Sequence, residues 1–146
     1  EKMASIRDRI LDAVLTVLNT GTPVGVPAST REVRIYEQAQ LPSIVVRPVG
    51  ENVSQVHDRK GLLKERQLRF VVEVRAAGAV PDKALDKHLV WVTKKLDGYT
   101  NALFNDLLEE GDIAWIIDMQ DFAVGMAVVP YIAYYQTKKG DQETKN

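Results

Sequence analysis

Apolar residues recur with a helical period at the start of the chain: Ile6, Ile10, Val14 and Val17 form one stripe, and Leu11, Leu15 and Leu18 widen it beyond what one packing partner needs. Ser5 and Asp8 supply an S-x-x-D start, in which the serine hydroxyl accepts from a backbone N–H of the first turn. Gly21 supplies a stop, and Pro23, Gly25 and Pro27 punctuate a loop up to Ser29. Alternation of Glu32, Val33, Arg34 and Ile35 then predicts a strand, followed by Pro42 and the β-branched run Ile44, Val45, Val46.

From Arg47 to Glu65 the pattern dissolves into polar residues with Gly50 and Gly61, and regular alternation resumes from Arg66 to Arg75. There Leu68, Phe70, Val72 and Val74 take one face of a strand, while Gln67, Arg69, Glu73 and Arg75 make the other largely polar. The polar stretch before this strand therefore reads as a long hairpin arm. A second helix is predicted from about Pro81 to Leu96, with proline in its first turn, Lys94 and Lys95 in its last and Gly98 beyond; Leu85, Leu89, Val92 and Leu96 form its buried stripe. A short third helix is predicted over about 101–110, capped by Thr100, stopped by Gly111 and apolar at Leu103, Phe104, Leu107 and Leu108. Two strands close the pattern: Ile113, Trp115 and Ile117, then Val124 to Thr137, where Pro130 implies a bulge, a bend or an edge.

This order predicts an α+β fold: a mainly antiparallel sheet of about four to five strands, with two main helices on its apolar face and the short third helix beside them. At 146 residues the chain suits one domain and one core, ordered over about 4–137 with a polar tail at 138–146. Glu1, Lys2 and Met3 do not resemble the start of a signal peptide. The uncharged run Phe122 to Tyr135 is shorter than the roughly 20 residues a bilayer span requires, so no membrane contact is expected.

Composition removes several chemistries. With no cysteine, disulfides, thiolate metal sites and cysteine nucleophiles are excluded, and two histidines, His57 and His88, leave little for a histidine-built metal site. The nine glycines form no phosphate-binding loop, and no hydrolase or zinc-protease motif is present. His57 beside Asp58 lies in the polar arm without a nucleophile, and His88 lies beside an apolar helical stripe. The carboxylates Asp106, Glu109, Glu110 and Asp112 are dense but lack calcium-loop spacing and read as a solvated or partner-facing cluster. Tyr131, Tyr134 and Tyr135, on alternating faces of a strand, read as half core and half interface. No catalytic, cofactor or metal site is expected.

Charge is distributed more tellingly. Net charge is -1, yet Arg31 to Arg75 holds nine basic residues against six carboxylates, whereas Leu96 to Thr137 holds seven carboxylates and no lysine or arginine. Two readings follow: internal neutralisation across one sheet, or a basic part of one copy meeting the acidic part of the next, a head-to-tail contact of the kind that closes rings. The arm from about Val49 to Glu65 adds Leu62 and Leu63 among Arg59, Lys60 and Lys64, an apolar pair within basic residues that suits a covered contact rather than open solvent.

The layout resembles the tail terminator family of long-tailed bacteriophages and related tail-like particles. An amphipathic N-terminal helix leads into TPVGVPASTREVRIYEQAQLPSIVVRP; a polar arm and LKERQLRFVVEVRAAG follow, then DKALDKHLVWVTKKL and a closing strand ending in YIAYYQT. The likeness spans Ile6 to Thr137; its firmest points are the Leu41–Pro42 approach to the second strand and the alternating strand that leads to Gly78 and a helix, while the arm has no residue-by-residue match. It implies a virion protein, assembled in the host cytoplasm as a homohexameric ring at the head-proximal end of the tail. Such a ring binds the last ring of tail tube protein, stops further addition and offers its other face to a head-side connector or completion protein. DNA would only pass through its channel. The alternative is a neighbouring head–tail connector or tail completion protein of the neck. Expected subunit or tube contacts are Arg59, Lys60, Leu62, Leu63 and Lys64 on the arm and Asp106, Glu109, Glu110 and Asp112 on the acidic segment, the carboxylates meeting an adjacent arm or lining the channel.

Overall fold

The computed structural model describes residues 4–33, 41–56, 63–118 and 123–138, with backbone alone at 55, 56, 106, 107, 118 and 138. Its elements are α1 (Ile6–Leu18), β1 (Ser29–Thr30), β2 (Ser43–Val56), β3 (Leu63–Ala77), α2 (Pro81–Leu96), β4 (Asn105–Glu110), β5 (Ala114–Asp118) and β6 (Val124–Lys138). They make an α+β fold with one six-stranded sheet, ordered β1-β2-β3-β6-β4, in which β5 also pairs with β6. All pairings are antiparallel except the short parallel contact of β1 with β2.

β3 and β6 run in unbroken register from Leu63 opposite Lys138 to Ala77 opposite Val124. On the helix-side face this aligns Leu68, Phe70, Val72 and Val74 with Ala133, Tyr131, Val129 and Ala127. Leu85, Leu89 and Val92 of α2 and Ile10 and Val14 of α1 join the same buried cluster, as the apolar spacing predicts. Phe70 stacks on Tyr131 with ring centroids 5.6 Å apart.

Both helices begin as the sequence indicates: Ser5 Oγ accepts from the Asp8 N–H at 3.2 Å, and Pro81 opens α2. The wide apolar face of α1 is largely absorbed within the chain: Leu11 and Leu18 are buried and Leu15 and Val17 pack on the core cluster. The carbonyl of Leu18, left without a helical donor, accepts from Trp91 Nε1 at 3.1 Å, which ties the end of α1 to α2. Asn19 then clamps β1, its side chain accepting from Ser29 N–H at 2.7 Å and donating to Ser29 C=O at 3.1 Å.

Some expectations change. Glu32 and Val33, expected in a strand, are irregular, the described strand here being the short β1, and Val33 is 71% exposed; Arg34 and Ile35 lie outside the described residues. The mainly antiparallel sheet, expected with about four to five strands, roughly fits at six, and the helix expected at 101–110 is a turn followed by β4. Asn101 explains the turn: its side-chain oxygen accepts from Leu103 N–H at 2.9 Å, and its carbonyl accepts from Phe104 N–H at 3.3 Å. Beyond it, the chain pairs along the flank of β6, and between Asn105 (opposite Tyr134) and Glu109 (opposite Ile132) it carries two residues more than its partner. That irregularity breaks the period-2 pattern, so apolar spacing alone mimics a helix.

Pro130 occupies a central strand, in apparent conflict with its missing donor. Its carbonyl accepts from Gly111 N–H at 2.8 Å, which fixes the polar side of Pro130 toward the β4–β5 flank. In an antiparallel strand a residue's N–H and C=O point to the same neighbour, so no bond to β3 is lost. The missing N–H faces the 111–113 break between β4 and β5, and a Cβ on Gly111 would stand 2.9 Å from Pro130 Cγ, which explains the glycine.

Phe70 is fully buried at the centre of this arrangement. Phe70→Ala is expected to lower stability by about 3–5 kcal/mol, read as a shifted denaturation midpoint; an unchanged midpoint would mean that the helix-side face of β3 is assigned wrongly.

Candidate interaction surface

The β2–β3 hairpin realises the arm anticipated from the polar stretch. Its register shifts between Pro48 and Gly50, so that Val49 is an extra residue in β2. At the bulge the Arg69 guanidinium lies across Gly50, 2.7 Å from where a Cβ would stand, so a side chain there would require the flexible arginine to move aside. Past the bulge Glu51 faces Leu68 and Val53 faces Arg66, on the helix side of the sheet.

A polar network anchors the arm there. Glu51 accepts from the Tyr135 hydroxyl and from Arg7 Nη1 at 3.3 Å, and Arg66 Nη1 stands 3.7 Å away. Arg66, 8% exposed, also donates through Nε to Thr137 Oγ1 at 2.9 Å. Burial, then the hydrogen bond and charge of Glu51, push the Tyr135 phenol well above its usual range, so it remains a donor throughout the physiological pH range. This network joins α1, β2, β3 and β6. The sequence signal for it, carboxylate and arginine among apolar neighbours, is too diffuse to identify it in advance.

On the opposite face, Glu73 is 5% exposed and forks between Arg47 Nε at 2.5 Å and Arg75 Nη2 at 2.8 Å. Arg31 spans Asp8 and Asp12 of α1 at 2.7 and 2.8 Å. These ion pairs join the basic stretch to carboxylates of α1, β2 and β3. Among the described residues Glu109, Glu110 and Asp112 make no ion pair; Glu109 accepts from the Tyr134 hydroxyl and Glu110 from the Tyr131 hydroxyl at 3.4 Å. Burial first, and then Glu110, raise the Tyr131 phenol far above its usual range.

The expected contact residues therefore separate into groups. Arg59, Lys60 and Leu62 lie outside the described residues, as do His57 and Asp58; Leu63 and Lys64 open β3, both half-buried. Asp106 and the exposed Glu109 and Glu110 belong to β4, and exposed Asp112 lies in the link to β5. Glu109 is paired with Ile132 and Glu110 with Tyr131, residues on opposite faces of β6, so the carboxylates do not form one patch.

Two features were not anticipated. Val49, Val71, Pro130 and Ile132 line a shallow groove of about 170 Å³ on the face away from the helices, with Arg69 and Glu109 at its sides. On β5, Trp115, Ile116 and Ile117 are all about half exposed. The signal for β5 was present in the sequence: Ala114 to Ile117 contains no polar residue to mark a solvent face.

His88, 2% exposed, has no partner for Nδ1 among the described residues and borders a cleft of about 370 Å³ with Lys83, Lys87 and Pro42. Burial, then the charge of Lys87, lower its pKa. Among the described residues no group of histidine and carboxylate side chains could hold a metal ion, and no helix is long and apolar enough to cross a membrane. No family model matches the chain, and no curated protein matches its sequence.

Replacing Glu51 with leucine is expected to cost about 3–5 kcal/mol, because it strands the buried Arg66 charge; a loss below 1 kcal/mol in denaturant melts would show that the network is not an anchor. His88 gives a pH signature. Its folded pKa lies below the ordinary value of 6.5, so the unfolded state takes up the proton first and stability falls as pH drops below about 6.5, by at most about 1.4 kcal/mol per pH unit. His88→Leu should flatten this part of the profile; an identical slope in both proteins would remove His88 as its source.

Proposed function

We propose that this chain is a structural virion protein that caps a completed phage tail tube as a homohexameric ring, stops tube growth and presents the surface to which the head-side connector or completion protein joins. The observation that carries this reading is the β2–β3 arm, built from strands of 14 and 15 residues, in a chain whose sequence is divided into a basic and an acidic stretch. By sequence the arm's far end holds Arg59, Lys60 and Leu62, whereas the strands at the other side of the sheet come from the stretch without lysine or arginine. Opposite surfaces on opposite flanks suit a heterologous contact that repeats around a ring. The helix, arm, helix and closing-strand layout that resembles tail terminators supports the same reading.

In this reading the arm meets the neighbouring copy or the tube, and its basic residues face carboxylates there. Glu109 and Glu110 lie on different faces of β4 and so serve different surroundings, one of them turned to the helix side. DNA passes through the channel without a recognition site: each phosphate neutralised by a cation would release counterions and hold the duplex back.

The purified protein, alone and mixed with tail tube subunits, is expected to give a particle of about six subunits seated on tube ends in electron micrographs. Reversing charge with Arg59→Glu and Lys60→Glu should weaken ring or tube association while leaving the monomer's melting curve unchanged. Unchanged association at moderate salt would reject the arm as the contact, and retention of the portal-side ring in place of the tube would indicate a connector. Tight, strongly salt-dependent binding of duplex DNA would reject the passive channel.

A further inference from the structure

A sheet edge is a row of unpaired backbone donors and acceptors, and proteins normally guard it. On β2, β1 covers Ile44 and Val45, and Pro48 and the bulge at Val49 guard the next stretch, so the edge is open only past the bulge; β4 carries its own irregularity. β5 has no such device. It pairs with β6 in continuous register, and among the described residues no strand lies beyond it. Trp115, Ile116 and Ile117 are 50%, 49% and 56% exposed, so apolar side chains stand half uncovered on both faces of this strand.

The direction of its backbone groups follows from the ladder. Pro130 turns its carbonyl toward the β4–β5 flank, and Ala123 turns its carbonyl the other way, to Gly78 N–H at 3.2 Å. Even-numbered residues of β6 therefore bond toward β5. Their partners Ala114, Ile116 and Asp118 bond inward, which leaves the N–H and C=O of Trp115 and Ile117 directed outward. The same alternation carried through β3 turns Glu51, Val53 and Gln55 of β2 outward at the opposite end of the sheet. Val53 is 48% exposed there and lies on the helix-side face, as Trp115 and Ile117 do.

We propose that β5 of one copy pairs with the outer edge of β2, around Val53, in the next copy, so that one sheet continues from subunit to subunit. Charge favours this partner. β5 is bounded by Asp112 and Asp118 within the stretch lacking lysine and arginine, whereas the arm is net basic by sequence, with Arg59, Lys60, Lys64, Arg66 and Arg69 against Glu51, Asp58 and Glu65. Pairing β5 with β5 of a second copy about Trp115 would set Asp112 opposite Asp118 twice, a repulsive register. A neighbour that continues the sheet keeps its strand directions, and β5 runs antiparallel to β2 within one chain. The joint is therefore antiparallel, with Val53 beside Trp115 or Ile117. It rests on the self-assembly proposed above and names the contact that performs it.

The cysteine-free chain makes the test direct. Two double variants, Val53→Cys with Trp115→Cys and Val53→Cys with Ile117→Cys, cover both registers, and each places its two thiols at opposite ends of the sheet, too far apart to join within one copy. Oxidation of one or the other should give a ladder of disulfide-linked copies up to ring size. Trp115→Pro removes an outward donor without touching the β6 ladder, and Ile117→Lys guards the edge by charge; each should weaken ring formation at least tenfold, with a folded monomer by circular dichroism. If the proline variant fails to fold, the lysine variant carries the test. A normal ring in both variants, or no ladder from a protein that forms rings, overturns the joint and leaves the ring standing. A ring that persists but no longer caps tubes assigns β5 to the tube protein and also overturns it. A wild-type chain that stays monomeric at every concentration, with or without tube subunits, rejects self-assembly itself.

Discussion

The fifteen-residue register between β3 and β6 is the constraint on which the rest of this structure depends. It aligns two apolar rows on one face, and both helices can bury their stripes only because those rows are adjacent. It also decides what each end of the sheet can hold. At one end it brings Arg66 and Tyr135 under the start of α1, where Glu51 completes a buried polar network; at the other it leads to Gly78 and the turn into α2. A slip of β3 by one residue against β6 would put Phe70 on the outer face and Glu73 in the core. Such a slip is excluded on energetic grounds.

The sequence was legible wherever local periodicity and tertiary burial agreed. α2 has the bounds its proline, lysines and glycine indicate, and β6 extends one residue past the predicted Thr137. Leu68, Phe70, Val72 and Val74 face the helices because one face of β3 needs them there. Reading failed where the backbone departs from a regular period. In β4, two extra residues between Asn105 and Glu109 moved apolar positions out of strand spacing and into helical spacing. Pro130 implied a bulge, a bend or an edge; its pairing with β3 is unbroken, and what its missing N–H meets is the break in the neighbouring flank at 111–113. The polar network was illegible for a different reason. Arg7, Glu51, Arg66 and Tyr135 are distant in sequence, and each is unremarkable until the sheet register is known.

The candidate contact residues show the same limit. Composition located two oppositely charged stretches, but not which carboxylates share a face, because that depends on whether Glu109 and Glu110 lie in a helix or a strand. In a strand, neighbours diverge, and the two tyrosines that receive them lie on opposite sides of β6. The structure thus turns an apparent acidic cluster into separate surfaces. It also moves attention to β5, where an uninterrupted apolar run meets an unguarded edge.

The position of β6 has a consequence for how the fold forms. It is the last of these elements to leave the ribosome, yet it fills the middle of the sheet, between β3 on one side and β4 and β5 on the other. Until it emerges, β3 has only β2 beside it, and β4 and β5 have no partner at all. The nascent chain can complete its hairpin and helices early, but the sheet closes only by long-range pairing at the end, a topology that folds slowly. Closure is then all-or-none, because one strand supplies the ladders on both sides. Loss of β6 would separate the two halves of the sheet at once, so a chain without it would have no intermediate architecture to fall back on.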